Sequence, residues 1–184
     1  SNSSWHARRA RIVLQNRATK GEVGGETFDK LANIMDTGKN VDHRLRAVWT
    51  LHITGGIHSN DLEKLLNDDS EYIRSWSIQL LCEDMSPSKT ALKKFTIMAK
   101  NDPSPVVRLY LASALQRIKP KYKWMIAENL VKHNADTADH NIPKILWYGI
   151  EPIIADNPKM ALELSNQSHI PLLTRPVSYT HLTL

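Results

Sequence analysis

Few side chains in this 184-residue chain stand at spacings that do chemistry. The tightest polar cluster is His133, Asp136, Asp139 and His140. Imidazole and carboxylate are metal-ligand types. The cluster nonetheless lacks a His pair one helical turn apart and lacks a His-Glu-x-x-His pattern, so no metal is expected there. Cys82 is the single cysteine, and Glu83-Asp84 follow it where a haem-attachment motif needs a second Cys and a His. It reads as a buried helix residue. No glycine-rich phosphate loop and no nucleophile elbow occurs, and nothing selects a Ser/His/Asp triad from chance. The expectation is a chain with no catalytic, cofactor-binding or metal residues, and hence not itself an enzyme.

Three other patterns carry more information. An aliphatic or small residue followed by a base recurs at Ala7-Arg8, Leu45-Arg46, Ile73-Arg74 and Val107-Arg108, each ahead of apolar residues at helical spacing. Such bases either line a groove for an anion or meet acids of a neighbouring repeat. The second reading is taken: Arg8, Arg46, Arg74 and Arg108 form a structural ladder, with Asp42, Asp69 and Asp102 near helix starts as partners. Trp49, Trp76 and Trp147 sit on the second helices of their hairpins. There they either fill the space between repeats or anchor a partner, since Trp combines large area with few rotors. The run Arg117 to Lys123 contains Lys119, Lys121 and Lys123 and is the densest basic patch. Lys119, Lys121, Lys123 and the three tryptophans are the candidate interaction surface.

Charge is banded along the chain. The net +5 divides into +5 over residues 1–20, −6 over 21–85, +8 over 86–135 and −2 over 136–184. Nucleic-acid binding through the basic 86–135 region is therefore the alternative function. The acidic 21–85 region argues against a continuous phosphate-binding stripe. No stretch approaches the ~18 apolar residues of a membrane helix.

The elements that must position these residues are helices. Apolar stripes at i, i+3, i+4 and i+7 spacing, capping residues and prolines at first turns place ten of them. They are expected at 4–17, 26–36, 41–54, 59–67, 70–82, 87–100, 103–118, 121–134, 140–155 and 158–166. No alternating strand pattern appears. No single hairpin of this kind buries its apolar face alone, so the hairpins are expected to stack.

Asp102-Pro103-Ser104-Pro105-Val106-Val107-Arg108-Leu109, with Ala112 and Leu115, resembles the second helix of a HEAT repeat. The copy at 140–155 departs, with Pro143 and Lys144 where that motif has an aliphatic residue and Arg. The resemblance implies an all-α, right-handed α-solenoid of about four to five HEAT-like hairpins over residues 4–175. More narrowly, Trp5-His6-Ala7-Arg8-Arg9-Ala10-Arg11 and Leu146-Trp147-Tyr148-Gly149-Ile150-Glu151-Pro152 resemble the HEAT segment of a bacterial family. Its members join a sugar-dehydrogenase-like propeller, a HEAT segment and a c-type cytochrome domain. That likeness implies a protein-binding scaffold or spacer, part of a larger extracytoplasmic redox protein, with other domains of the parent chain or a separate protein as partner. Ser1–Ser3 resembles a tag remnant, and 176–184 resembles a translated sequencing-adaptor read-through, a non-native tail.

Overall fold

A computed structural model describes residues 4–170; residues 1–3 and the 176–184 tail, with the expectations attached to them, lie outside the described residues. Among the described residues all regular structure is helical. The ten α-helices are α1 Ser4–Ala18, α2 Gly25–Thr37, α3 Val41–Thr54, α4 Ser59–Leu65, α5 Glu71–Leu81, α6 Lys89–Asn101, α7 Pro105–Ala114, α8 Pro120–Leu130, α9 Ile142–Ile154 and α10 Pro158–Gln167. They belong to two compact units divided at Trp76–Ser77, inside α5.

In the first unit, α2 and α3 form a hairpin across residues 38–40, and α1 packs on α3. The Asn40 side chain starts α3 by accepting the His43 N–H at 3.1 Å. Gly55, at φ 74°, ends it in the left-handed conformation that a glycine adopts without a Cβ clash. The face turned inward carries Leu45, Ala47, Val48 and Leu51. Helix α1 contributes less, since Trp5, Ile12 and Val13 remain exposed.

In the second unit α6 packs on α8 and α8 on α10, while α7 packs on α9. Even- and odd-numbered helices thus form two layers, joined by contacts such as α6 with α7 and α8 with α9. Phe95, Leu111, Leu115, Ile126, Leu130, Leu146 and Ile150 fill the space between. Each such side chain contributes about 1.5–3 kcal/mol through burial.

Local signals set most helix starts. Ser88 accepts the Ala91 N–H at 3.0 Å and opens α6, so Pro87 precedes the helix and does not occupy its first turn. Ser104 accepts the N–H groups of Val106 and Val107 at 3.1 and 3.3 Å, with Pro105 next to it at the first position of α7. The helix expected over 103–118 tightens into a 3-10 turn at Leu115–Arg117. Pro120 disfavours helical backbone at Lys119, so the chain must leave the helix before it. The helix expected over 121–134 stops at Leu130, and a 3-10 turn at Asn134–Asp136 replaces its last residues.

Helix α9 passes close to α7 at Gly149. A Cβ there would stand 2.6 Å from Leu115 Cβ and 3.5 Å from the Ala112 carbonyl oxygen. Gly149→Ala is expected to destabilise the fold by about 1–3 kcal/mol through overpacking. The gain from alanine's better helix propensity, roughly 1 kcal/mol, offsets only part of this. A melting curve checks it, and a midpoint equal to or above the parent's refutes the close approach.

Candidate functional site

The recurrent arginines lead to two clamps between helix turns. On α7, Arg108 is buried. Its Nε–H donates to Asp136 Oδ2 at 2.5 Å and its Nη2–H to Asp136 Oδ1 at 2.6 Å, while its Nη1–H donates to the Asp102 carbonyl at 2.9 Å. Asp102 lies in the turn before α7 and Asp136 in the turn between α8 and α9. One guanidinium therefore staples two successive turns. Asp102 stiffens its own turn, since its Oδ1 accepts the Ser104 N–H at 3.0 Å. His133 adds a second tie, its Nε2–H donating to the Ala99 carbonyl at 2.7 Å.

The first unit repeats the arrangement. Arg44 donates Nε–H to the Met35 carbonyl at 2.6 Å, at the end of α2, and forms a two-pronged ion pair with Asp68 in the turn before α5. Asp68 Oδ1 accepts the Ser70 N–H at 2.9 Å, as Asp102 does for Ser104. Arg74 also holds its own turn, donating Nη1–H to the carbonyls of Asp68 and Asp69 at 2.8 and 3.1 Å.

Of the ladder residues read from the sequence, Arg108 is a tie between turns, with Asp136 as its carboxylate partner. Asp69 supplies a carbonyl to Arg74. Asp42 is exposed in the first turn of α3 and Arg8 is exposed on α1. Arg46 meets no carboxylate among the described residues. Arg44 does its work, because two residues along a helix turn a side chain by roughly 200° to a different face. A signal for the missed residues existed: Asp68, Asp102 and Asp136 recur every 34 residues, as do Arg74 and Arg108, within Asp-x-Ser turns at 68–70 and 102–104.

The polar cluster considered for a metal is spent on structure. Asp136 holds Arg108, His133 holds Ala99, and Asp139 Oδ1 accepts the N–H groups of Asn141 and Ile142, both at 2.8 Å, at the start of α9. Those two amides hold the Asp139 carboxyl below its ordinary pKa. Among the described residues no group of three metal-ligand side chains converges. Cys82 is buried just past the end of α5, and burial pushes its thiol up to about 12, which leaves it protonated and unreactive.

The tryptophans and lysines divide. Trp49 and Trp76 meet edge to face, centroids 4.8 Å apart, and the Arg11 guanidinium lies 5.5 Å over the Trp49 ring. The Trp49 Nε1–H is buried and has no hydrogen-bond partner among the described residues. Trp147 is half-buried on α9 in the second unit. Lys119 and Lys121 are exposed, whereas Lys123 is buried, with its Nζ donating to the Gly149 carbonyl at 3.2 Å. Lys123 is thus a helix-packing residue and not part of an exposed surface. Burial lowers its pKa.

Beside the exposed lysines runs an apolar groove of about 440 Å³ between α6 and α8, with Leu92, Ile97, Tyr122 and Met125 in its lining. A pocket of about 230 Å³ shares Lys89, Leu92 and Tyr122 with it and extends the feature towards Lys119 and Lys121. No family model, curated protein or solved structure matches this chain.

Two expectations follow. Removing one partner of the clamp, as in Arg108→Leu, strands a buried carboxylate and is expected to cost about 3–5 kcal/mol, while adding Asp136→Leu recovers most of it. Melting curves of both single variants and the double variant read the coupling, and additive losses would contradict a clamp. Lys123→Met is expected to raise the melting temperature at neutral pH. Because the folded state binds the Lys123 proton more weakly than the unfolded state, the parent gains stability as pH rises through the lowered folded pKa towards 10.5, and the variant lacks that gain. Melting across alkaline pH checks it, and parallel profiles for the two proteins would refute it.

Proposed function

We propose that the chain is a non-enzymatic helical-repeat scaffold whose exposed surfaces contact other proteins, with the HEAT-type right-handed α-solenoid as its architecture. The observation that carries this reading is the clamp. The same Arg–Asp chemistry joins successive helix turns in each unit, and its acids recur at one spacing, as in a repeat whose turns must be held in register. The two-layered alternation of α6 to α10 supports it too. The ionisable groups with the most distinctive surroundings, Arg108, Asp136, Asp139 and Lys123, all serve packing or capping.

The resemblance of the Trp5–Arg11 and Leu146–Pro152 segments supports a role for such a scaffold within a larger extracytoplasmic redox protein, beside domains that carry the catalysis and the haem. Nucleic-acid binding remains the rival because Lys89 and Lys93 on α6, Lys119 just before α8 and Lys121 on α8 are all exposed. Phosphates gain nothing from the apolar groove those lysines border, so protein contact is the better match.

The reading is tested by titrating the purified chain with duplex DNA across salt concentrations and by assaying it for dehydrogenase turnover with artificial acceptors. Weak, sequence-independent DNA binding that vanishes at physiological salt, and no turnover, are expected. Tight DNA binding that survives physiological salt, or turnover abolished by one substitution, would overturn it.

A further inference from the structure

We infer that the α6–α8 groove is a docking site for an acidic amphipathic helix of a partner protein; this rests on the protein-contact reading and names the partner's chemistry. The groove stands apart from the core. Helix α6 sends Ala91, Leu92, Phe95, Met98 and Ala99 inward, a complete apolar stripe. Ile97 lies outside that stripe and is 60% exposed, and Met125 on α8 is 58% exposed. Core packing accounts for neither side chain, yet both line the same groove. Met adds pliability to a surface that must fit a partner's side chains.

The dimensions suit a short helix. From Lys89 to Ile97 the wall formed by α6 runs nine residues, eight rises of 1.5 Å or about 12 Å, which is roughly two turns of a helix lying alongside. An amphipathic helix placing apolar anchors at i, i+3 or i+4 and i+7 fills such a channel.

The rim selects the charge. Lys89 and Lys93 stand one helical turn apart on the α6 side, and Lys119 and Lys121 stand at the end towards the α8 start. Lys121 Nζ lies 4.9 Å over the Tyr122 ring, which brings positive charge against the floor itself. Among the described residues no acid lines either part of the groove. Glu128, on the next turns of α8, is engaged by Lys132 at 3.0 Å. Four lysines around an apolar floor attract a helix with Glu or Asp flanking its anchors and repel a basic one.

The test uses the whole chain and a labelled synthetic peptide, helical and two to three turns longer than the groove, with Leu anchors at i, i+3, i+4 and i+7 and Glu at its flanks. Three probes accompany it: the same peptide with Lys for Glu, duplex DNA, and anionic phosphatidylglycerol vesicles. The Glu peptide is expected to bind, and the Lys peptide at least about tenfold more weakly. Ile97→Asp and Lys93→Glu, both at exposed positions and checked for unchanged melting, are each expected to weaken the Glu peptide about tenfold. No binding of the Glu peptide, or binding that neither variant alters, overturns the groove as the site. In the second case, loss of binding on Trp49→Phe would leave the scaffold reading standing with a different surface. Preference for DNA that Lys93→Glu abolishes would overturn both readings, and preference for vesicles would overturn the helix as occupant.

Discussion

A buried guanidinium must satisfy its N–H groups or carry a heavy desolvation penalty, and Arg108 satisfies them across two turns at once. Much else in the second unit follows from that requirement. The Asp102 carbonyl has to face α7, which the Asp102–Ser104 turn arranges. The chain after α8 has to bring Asp136 inward, so the helix ends at Leu130 and a 3-10 turn follows. His133 then reaches the Ala99 carbonyl from the same turn. Geometry separates this clamp from ordinary surface pairs. Arg108 and Asp136 side chains are 5% and 2% exposed, whereas Lys30 and Glu26, paired along one helix, are 72% and 82% exposed. A pair of the second kind is worth about 0–1 kcal/mol at best.

Among the described residues, Lys123 and Trp49 bury polar groups without such full compensation. Lys123 is buried with a single carbonyl partner, and Trp49 holds a buried indole N–H with none. In both cases the bulk of the side chain explains the placement. The lysine stem lies where α8 meets α9, and the indole ring packs edge to face with Trp76 and beneath Arg11. Packing area outweighs one weakly compensated polar atom.

Exposed apolar side chains are also unevenly placed. Single exposed hydrophobics are ordinary on any protein surface. Ile97 and Met125 are not scattered, because they share one groove with the half-buried Tyr122 and a lysine rim. The same basic residues that suggested a phosphate surface in the sequence therefore acquire a different meaning beside an apolar floor.

What the sequence determined by itself is the helical class and the position of nearly every element. Those signals are local: Ser88 and Ser104 caps, prolines at 105, 120, 143 and 158 in first turns, and apolar stripes of helical period. A cap or a stripe is complete within a few residues, so it is legible without the fold. The role of Arg108 as a tie was legible as well, from its recurrence. Which acid it meets was not, and neither was the choice of Arg44 over Arg46. Those pairs join residues 28 and 24 apart, and only the packing of whole helices brings them together. Lys123 shows the same limit: in the sequence it continues a basic run, and the close approach of α9 at Gly149 decides that it is buried.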